Sequence, residues 1–495
     1  MQTRVILPAA GRSTFDSQLS APGRRRLLLG AGYAATLGLG LGLARRGNAQ
    51  PLAALAPDAL LDDLCERTFR FFWDTTNTAN GLAPDSWPGK STCSIAALGF
   101  ALTAYPIGVE RGWITREQAS ERVVVTLRFL RNAPQGPEPT GNAGYHGFFY
   151  HFLDMNTGLR ADSDVELSSI DTALLLAGVL YCQSWFDGTD AAESEIRSLA
   201  EELYARVDWR WMQYRPPSIC HGWYPESGFV KYDWKGYNEA MILYLLALGA
   251  PNSSVDPDAW DVWTSTYDRC WTTDKGQEHL HFASLFGHQF SHCWVDFRGI
   301  ADDYLRQRGI DYFENSRRAT YAQRAYASAN PMGWNGYGAD VWGISACQGP
   351  ADSTQQYAGE ARRFRGYAGR GAGGVQSYDD GTIAPYAVGS SLPFAPEIVM
   401  PTLQAMLARF GPRIYSKYGF FDAFNLSFDY DVPLSHGQRI AGWGWVDTNY
   451  LGIDQGPLLA MLGNHRNESI WKPMRSSPHL RRGLTRAGFT GGWLA

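Results

Sequence analysis

Acidic residues stand beside apolar or aromatic neighbours at several widely separated points of the chain. Asp171 and Glu239 each begin a run of almost entirely apolar residues. In the C-terminal third, Asp422, Asp447 and Asp454 lie among aromatic residues. Burial among apolar groups raises the pKa of a carboxyl group, which is what a general acid needs near neutral pH. The pattern therefore predicts acid/base chemistry carried out by carboxyl groups.

Asp171 lies close to the start of a predicted helix. Ser168 or Ser169 is expected to cap this helix, which places Asp171 in the first turn, where the helix dipole favours its charge. Because the helix is apolar on nearly every side, the carboxyl group must face a cavity or a partner. The structural alternative is a buried aspartate that only bonds a neighbouring helix.

Glu239 follows a loop rich in glycine and aromatic residues and precedes apolar helical turns. A carboxyl group in such a pocket has the raised pKa of a general acid. The structural alternative is a glutamate that only compensates the dipole at a helix N-terminus.

The acids of the C-terminal third have flat rings beside them. Trp443 and Trp445 precede Asp447, and Phe421 precedes Asp422. Cleavage of a glycosidic bond requires paired carboxyl groups, and sugars present C–H faces to rings and hydroxyl groups to carboxylates. Core packing is the alternative for any single tryptophan, but the density of the pattern favours a saccharide site.

Other catalytic devices have little support in the sequence. His288 and His292 lie four residues apart, a spacing that suits a metal on a helix, but no Glu-His motif accompanies them. Sugar contact or hydrogen bonding in the core is favoured for these two histidines. The seven cysteines are scattered singly, and most are expected to be buried as small hydrophobic residues. No Gly-x-Ser-x-Gly elbow occurs, and we expect no metal and no cofactor.

Composition and charge exclude several classes of protein. Hydrophobic residues make up 45% of the 495 residues and charged residues 19%, which excludes disorder over most of the chain. Residues 1–49 hold seven arginines and one acid, so the remainder has 37 basic and 48 acidic residues, a balance of −11. Nucleic acid is not expected as a partner, because phosphate binding needs concentrated positive charge. A neutral polymer or a small polar substrate fits better.

From residue 55 onward the hydrophobic pattern is helical, without a Gly-rich phosphate loop. The predicted helices are 57–75, 92–104, 115–131, 167–186, 190–207, 237–248, 256–270, 298–307, 310–328, 381–390, 396–410 and 455–464. Long aromatic loops join them at 76–90, 132–165, 208–236, 329–380 and 411–454, and loops of this length are usually functional.

This alternation of helices and long loops predicts an all-α (α/α)6 barrel, a toroid whose loops at one end build the site. A solenoid is the rival architecture, but no unit recurs at constant spacing. For the segments 133–165 and 329–380, a small β hairpin or sheet is an alternative.

The first 49 residues differ from the rest. Arg24, Arg25 and Arg26 precede an apolar run rich in glycine and alanine at 27–44, and small residues follow at 47–49. We expect a cleaved twin-arginine signal peptide at 1–49, recognised by the Tat translocase, and a periplasmic catalytic domain at 50–495 without membrane attachment. The alternative is a membrane anchor, although spanning needs about 20 strongly apolar residues.

Four ordered motifs, at 166–178, 236–240, 418–424 and 450–457, are similar to those of the glucoamylase-like domain family. Its characterised members include bacterial endo-β-1,2-glucanases of the glycoside hydrolase family 144 type. The resemblance spans about residues 55–475. It implies an (α/α)6 barrel and hydrolysis of β-1,2-glucan to short sophorooligosaccharides, with inversion and without a metal. Some relatives carry an acidic residue three positions after the helix aspartate, where this chain has Leu174.

By position, the resemblance makes Glu239 the general acid and Asp171 an essential carboxylate close to the scissile bond. Asp422 is the first choice as the base. Asp447 and Asp454 are the alternative bases, and their other possible role is to hold sugars or fix the loop. A carboxyl separation of about 6.5–9.5 Å would predict inversion, and about 5–5.5 Å retention. Candidates for the walls of sugar subsites are Trp234, Tyr237, Arg298, Trp334, Trp443 and Trp445.

Other functions remain open from the sequence. One is a transglycosylase, or a hydrolase for another β-glucan linkage, on the same fold. Another is a periplasmic glucan-binding protein without catalysis. A polysaccharide lyase would favour uronate substrates and a basic cleft, which the acidic chain disfavours.

Overall fold

The computed structural model describes residues 56–373 and 377–495. The predicted signal peptide at 1–49 lies outside the described residues. The described chain is mostly helical, with short strands in the connecting segments. Its α-helices are α1 Pro57–Thr75, α2 Ile95–Glu110, α3 Arg116–Asn132, α4 Ser169–Trp185, α5 Ala191–Ala205, α6 Trp209–Met212, α7 Met241–Gly249, α8 Asp258–Thr264, α9 Tyr267–Cys270, α10 Asp303–Gln307, α11 Tyr312–Ala329, α12 Pro385–Gly389, α13 Pro396–Phe410, α14 Gly452–Asn467, α15 Trp471–Met474 and α16 Pro478–Arg486.

Four helices, α2, α4, α7 and α14, form an inner layer that is buried on nearly all sides. Every residue of α7 is buried, and in α2 only the last two residues are not. A helix that is apolar all round has no face that prefers water, so it is stable only inside the molecule. The first turns of α4 and α14 are exceptions in composition, because they carry Asp171 and Asp454.

Outer helices pack against this inner layer with one face each. In α3 the residues Val123, Leu127 and Leu130 are buried, and a capping box of Thr115 and Gln118 fixes its start. Helix α1 contacts α2 and α14, α3 contacts α2 and α5, α5 contacts α4, α13 contacts α12, and α16 contacts α7.

The inner elements contact one another in order around the molecule. Helix α2 packs on α4, α4 on α7, α12 on α14, and α14 returns to α2. Two 3-10 turns, Leu285–His288 and Ser291–Cys293, fill the place between α7 and α12. The backbone N–H of Ile242 donates to the Ser291 hydroxyl (3.0 Å), and the Gln289 side-chain amide donates to the Ala387 carbonyl (2.7 Å).

Helices α2 and α4 meet at glycines. A Cβ atom on Gly99 would lie 2.3 Å from the carbonyl oxygen of Leu174, and one on Gly178 would lie 2.1 Å from the carbonyl oxygen of Gly99. No side chain larger than hydrogen fits there, so the two backbones hold each other at close range. The contact at Leu174 fixes the position, relative to α2, of the part of α4 next to Asp171.

The strands are short. They are β1 Ser86–Trp87, β2 Cys93–Ser94, β3 Gly144–Tyr145, β4 Phe148–Tyr150, β5 Phe152–Leu153, β6 Leu167–Ser168, β7 Gly222–Tyr224, β8 Gly228–Phe229, β9 Trp271–Asp274, β10 Gln277–Leu280, β11 Ala346–Gln348, β12 Ser353–Tyr357, β13 Glu360–Phe364, β14 Tyr367–Gly369, β15 Tyr415–Ser416, β16 Gly419–Phe420, β17 Phe424–Asn425, β18 Gln438–Ile440, β19 Gly444–Val446 and β20 Tyr450–Leu451. The β structure suggested for 133–165 and 329–380 is present in both segments.

These strands bring the N-terminal ends of the inner helices together. Strands β2, β6 and β20 end where α2, α4 and α14 begin. The order β3-β4-β6-β7-β8 forms one antiparallel sheet, β2 pairs with the neighbouring β5, and β1 pairs with β20. The Trp234 indole donates to the Ser169 hydroxyl (3.0 Å), which ties the segment before α7 to the start of α4. Residues at these helix starts therefore share one end of the molecule.

None of the helices in the described part of the chain is long and apolar enough to cross a membrane. All seven cysteines are free thiols; six are buried and Cys270 is partly exposed. The prediction that most act as small buried hydrophobic residues is confirmed.

Candidate active site

Glu239 lies in the turn immediately before α7. Its side chain is largely buried, with 9% of the residue exposed, and its Oε2 atom has no hydrogen-bond partner. Burial and the nearby charge of Asp171 raise the pKa of Glu239 to about 7, against a backbone hydrogen bond that lowers it. A carboxyl group with this pKa still carries a proton in a large fraction of molecules at neutral pH. The group is therefore suited to proton donation.

Asp171 occupies the first turn of α4, as the sequence predicts. Ser168 is the N-cap of the two candidates, and its hydroxyl accepts from the Asp171 backbone N–H and donates to the Asp171 carboxylate. Burial raises the pKa of Asp171, while His151 and the Ser168 hydroxyl favour the charged form. Asp171 is thus a buried carboxylate held in a fixed orientation.

His151 and Glu166 stand next to Asp171 on the sheet side of α4. The Nδ1 atom of His151 lies 2.9 Å from Oε1 of Glu166, and its Nε2 atom lies 3.5 Å from Oδ1 of Asp171. Burial alone would lower the pKa of His151, but the carboxylates of Asp171, Glu166 and Asp85 raise it to about 10. The ring is therefore a cation between two acids. Sequence reasoning missed His151.

Asp85 links this group to the acids of the C-terminal third. Its backbone carbonyl accepts from the N–H of Gly452 (2.7 Å), the first residue of α14, so the loop before β1 lies beside the start of that helix. Burial raises the pKa of Asp85 to about 6, with opposing influences from His151 and Asp171. Asp85 also raises the pKa of Asp454. The sequence offered only a weak signal here, an acid in a long loop before Trp87.

Asp422 and Asp454 form a carboxyl pair. Each carboxyl group shifts the pKa of the other, and Oδ2 of Asp422 accepts from the backbone N–H of Gln348 (2.7 Å), while Oδ1 of Asp422 and Oδ2 of Asp454 have no hydrogen-bond partner. Burial raises the pKa of Asp454 to about 7, and burial together with Asp454 raises the pKa of Asp422 well above its usual range. Two carboxylates in contact cannot both ionise readily, so the pair holds a shared proton near neutral pH.

Asp447 lies beside this pair and fixes its own loop. Its Oδ1 atom accepts from the backbone N–H groups of Thr448 (2.7 Å) and Asn449 (3.1 Å), while Oδ2 has no partner. Burial and Asp422 raise the pKa of Asp447 well above its usual range. The Asn449 amide in turn donates to the side chain of Gln348 (2.9 Å). Asp447 therefore fixes its own loop, which is one of the alternative roles considered from the sequence.

The five predicted acids are brought together, although they come from distant parts of the sequence. Glu239 interacts with Asp171, Asp171 with Asp85, Asp85 with Asp454, Asp454 with Asp422, and Asp422 with Asp447. Asp85 and the neighbouring residues His151, Glu166, Tyr367 and Asn449 are partly exposed. We call the six interacting acids the carboxyl cluster: Asp85, Asp171, Glu239, Asp422, Asp447 and Asp454.

Four of the predicted subsite rings are packed in the interior. They are Trp234, Tyr237, Trp334 and Trp445, each no more than 5% exposed. The face of Trp234 is covered by the ring of His221 at 3.7 Å. With so little free surface these rings support the loops rather than offering a face to a sugar.

Two other rings keep partly exposed surface. Trp443 is half-exposed beside Phe410 and Phe424. Tyr367 lies among the acids. Burial is the main cause that raises the pKa of its hydroxyl group, and the charges of Asp454 and Asp422 raise it further. Tyr367 was missed from the sequence because a single tyrosine in a long loop carries no positional signal.

Arg298 lies at the opposite end of α14 from Asp454. Its guanidinium forms ion pairs with Asp296 and Glu468, both at 2.7 Å. Glu468 directly follows α14 and Asp454 is in its first turn, so the two ends are about 20 Å apart at 1.5 Å per residue. This placement contradicts the prediction that Arg298 forms a wall of the site, because the residue instead ties the far end of α14 to the loop at 296–298.

The two histidines with metal-like spacing are engaged in the core. His288 bonds to the Tyr237 hydroxyl at 3.2 Å and His292 to the Ser316 hydroxyl at 3.0 Å. Both are about 1% exposed. Of the two readings that the sequence favoured, core hydrogen bonding is the one found.

Among the described residues, His151, Glu166 and Asp171 have ligand atoms within 4.8 Å of one another, close enough for a metal ion. The two carboxylates, however, face opposite nitrogens of the His151 ring. Metal ligation requires a neutral imidazole that offers one nitrogen to the same point as the other ligands. The arrangement fits an ion-paired imidazolium better than a metal site.

A mostly helical fold whose inner helices begin around a buried carboxyl cluster defines a class of helical proteins equipped for acid/base chemistry. A family model described as "Putative glucoamylase" matches residues 231–478, half of the chain. The chain belongs to this family. Glu239, Asp422, Asp447 and Asp454 lie inside the matched segment, and Asp171 lies before it.

Individual relatives cover most of the chain. An exo beta-1,2-glucooligosaccharide sophorohydrolase (non-reducing end) from Parabacteroides distasonis is 26% identical over 458 residues, which are 87% of this chain and 58% of that protein. The chain thus spans less than two thirds of that relative's length. A putative glucoamylase from Bacteroides uniformis has a TM-score of 0.75 at 28% identity, covering 89% of this chain and 99% of its own. The endo-beta-1,2-glucanase from Chitinophaga pinensis, solved with sophorotriose and glucose, has a TM-score of 0.75 at 25% identity, covering 89% and 100%.

Proposed function

We propose that the chain is a glycoside hydrolase that cleaves β-1,2-glucan by general acid/base hydrolysis with inversion. The observation that carries the proposal is the carboxyl cluster, in which acids from distant parts of the sequence interact at one end of the inner helices. The names of two relatives, a sophorohydrolase and an endo-β-1,2-glucanase, support the β-1,2 linkage.

Glu239 is the proposed general acid. With a pKa of about 7 and an unpartnered Oε2 atom, its carboxyl group delivers a proton to the leaving glycosidic oxygen, directly or through a substrate hydroxyl. Asp171 is the essential carboxylate next to it. Its charge raises the pKa of Glu239 and stabilises positive charge that develops on the sugar ring.

The Asp422–Asp454 pair is the proposed base. With one proton on the pair, its ionised member accepts the proton of the water that attacks the anomeric carbon from the face opposite Glu239. The two carboxyl groups titrate as one unit, and this unit includes Asp422, the residue that the sequence motif indicated as the base. Asp447 sets the loop and the electrostatic surroundings of the pair.

Sugar contacts are assigned to rings with free surface. Tyr367, next to Asp454 and Asp422, and the half-exposed Trp443 are the first choices, together with Trp87, which follows Asp85. C–H faces of glucose units stack on such rings. The buried rings Trp234 and Tyr237 hold the α4 and α7 helix starts in place.

The finer architecture and the cellular site are also proposals. The ordered contacts of α2, α4, α7, the two 3-10 turns, α12 and α14, with outer helices behind them, support an (α/α)6 barrel. The arginines at 24–26, the apolar run after them and the small residues at 47–49 support export by the Tat translocase to the periplasm. A fusion of residues 1–49 to a reporter that requires Tat export tests the second proposal.

The experiment that tests the function is a substrate panel. Purified protein is incubated with linear β-1,2-, β-1,3- and β-1,4-glucans, and the products are separated by chromatography. We expect short β-1,2-linked oligosaccharides from the first polymer alone, with the new reducing end formed in the inverted configuration by ¹H NMR. Cleavage of another polymer would overturn the linkage, and binding of β-1,2-glucan without any product would favour a glucan-binding protein.

A further inference from the structure

His151 contacts one of the proposed catalytic carboxylates, since its Nε2 atom lies 3.5 Å from Oδ1 of Asp171. It lies between β4 and β5, and its own backbone joins the elements of the site: its N–H donates to the Glu166 carbonyl (2.9 Å), and its carbonyl accepts from Ile95 (3.2 Å), the first residue of α2. Its ring stacks on Phe152 at 4.0 Å. The backbone bonds and the stacking hold the side chain with Nδ1 toward Glu166 and Nε2 toward Asp171.

We propose that His151 is a positioning residue whose imidazolium, held between Glu166 and Asp171, keeps the Asp171 carboxylate charged and oriented toward Glu239. This inference rests on the proposed function, and it assigns a role to a residue outside the acid/base set. Both ring nitrogens donate in the charged form, so each carboxylate receives a hydrogen or an ionic contact from its own side. A neutral ring could satisfy only one of them as a donor.

The groups facing His151 are acidic on three sides. Glu166 precedes β6, Asp171 lies on α4, and Asp85 lies before β1; each favours the charged ring. The other neighbouring histidine, His221, interacts with Glu166 and has a pKa lowered to about 4 by burial, so it stays neutral. The charge of His151 thus lowers the pKa of Asp171 and opposes the increase that burial causes.

The balance has a consequence for Glu239. Without the imidazolium, Asp171 remains buried but loses its counter-charge, so its pKa rises and it takes up a proton. A neutral Asp171 no longer repels ionisation of Glu239, so the pKa of Glu239 falls. The alkaline limb of the pH profile of kcat/KM, which Glu239 sets, then moves to lower pH, and a loss of shape alone would not produce this shift.

The first test reads the charge of His151 without any substrate. Protein labelled with ¹³C at histidine Cε1 is titrated by NMR from pH 5 to 10, and His151 is assigned in the unmodified chain by the through-space contact of its ring with the Phe152 ring, on which it stacks. We expect its imidazolium signal to persist at pH 8.5. Loss of that signal with a midpoint below pH 7.5 overturns the proposal. Because this measurement uses the unmodified chain, it decides the matter even if His151→Gln does not fold or if β-1,2-glucan is not the substrate.

The second test separates charge from structure. His151→Gln keeps the approximate size of the side chain but not the charge; we expect a loss of kcat of about 100-fold and an alkaline limb of the pH profile that lies about one pH unit lower. His479→Gln is the matched control, since His479 pairs with Glu201 at 2.8 Å between α16 and α5 and should leave the profile unchanged. A lower maximum with unmoved limbs in His151→Gln would show a structural role only. Stoichiometric Zn²⁺ or Mn²⁺ binding that abolishes the imidazolium signal would overturn the proposal in favour of a metal site.

Discussion

Asp422 and Asp454 lie close enough for each carboxyl group to shift the pKa of the other, although 31 residues lie between them in the sequence, with Asp422 in the loop before β17 and Asp454 in the first turn of α14. In the described part of the chain neither carboxyl group forms an ion pair with an arginine or lysine; Arg370, whose charge lowers the pKa of Asp422, is itself paired with Asp380 at 2.7 Å. The contact is stable only while the pair retains a proton. This relationship ties the stability of the protein to the chemistry of the site.

Asp454→Asn is therefore expected to stabilise the protein in a pH-dependent way. Burial raises the pKa of Asp454 from 3.8 to about 7, so the folded protein loses stability as the pH rises from about 4, where the unfolded chain ionises, to about 7. The variant should match the wild type at pH 4 and exceed it by up to about 4 kcal/mol at pH 8 in urea unfolding. Asp340→Asn, at an exposed aspartate, is the control and should show no such trend.

The pH dependence of kcat/KM should be a narrow bell centred near neutrality. Above about pH 7 Glu239 loses the proton that it must donate, so the rate falls tenfold per unit. Below about pH 7 the Asp422–Asp454 pair takes up a second proton and can no longer accept one from water. A plateau that extends above pH 9 would contradict the assignment of Glu239 as the acid.

Much of the helical framework could be predicted from the sequence. Helices α1 and α13 have the predicted bounds of 57–75 and 396–410, because a proline at the first position and a one-sided apolar pattern define them locally. The predicted start at 237 was too early for α7, since the Asn238 side chain accepts from the Ala240 N–H and forms a turn first. Helix α16 was missed because its sequence is mostly polar and its role depends on packing against α7.

The acids of the site could be predicted as well, but their surroundings could not. Asp171 and Glu239 interrupt apolar runs, a local signal that survives in one sequence. His151 and Asp85 are ordinary polar residues in loops, and only the pairing of β1 with β20 and of β2 with β5 brings them to the cluster. Arg298 shows the opposite error, since a cation beside aromatic residues looks like a ligand contact until its ion pairs are known.

Gly99→Ala tests whether the α2–α4 contact sets the position of Asp171. The added methyl group would meet the Leu174 carbonyl at 2.3 Å, so one helix must move. We expect a loss of about 1–3 kcal/mol in the free energy of unfolding and a fall in kcat larger than any change in KM. Gly338→Ala has open space around its Cβ position and should change neither quantity by much.

Arg298→Ala should lower stability and leave hydrolysis unchanged. The substitution removes one of the two arginines paired with the buried Asp296, the other being Arg475. We expect a cost of about 1–3 kcal/mol in chemical unfolding, as for a lost hydrogen bond to a buried charge. A large rise in KM would instead return Arg298 to the sugar-binding set.

The central claim is that Glu239 and Asp171 act together on one glycosidic bond. The most direct test measures the turnover of β-1,2-glucan by the variants Glu239→Gln and Asp171→Asn. Binding of the oligosaccharide is measured by calorimetry on the same samples. Both variants should lose at least about 10³-fold in kcat, within the range for general acid catalysis, and still bind the oligosaccharide with a Kd within about tenfold of the wild-type value. Glu121→Gln, at an exposed glutamate on α3, is the control for loss of a carboxylate. If either site variant kept its kcat within tenfold of the wild type, the carboxyl cluster would not be the catalytic centre.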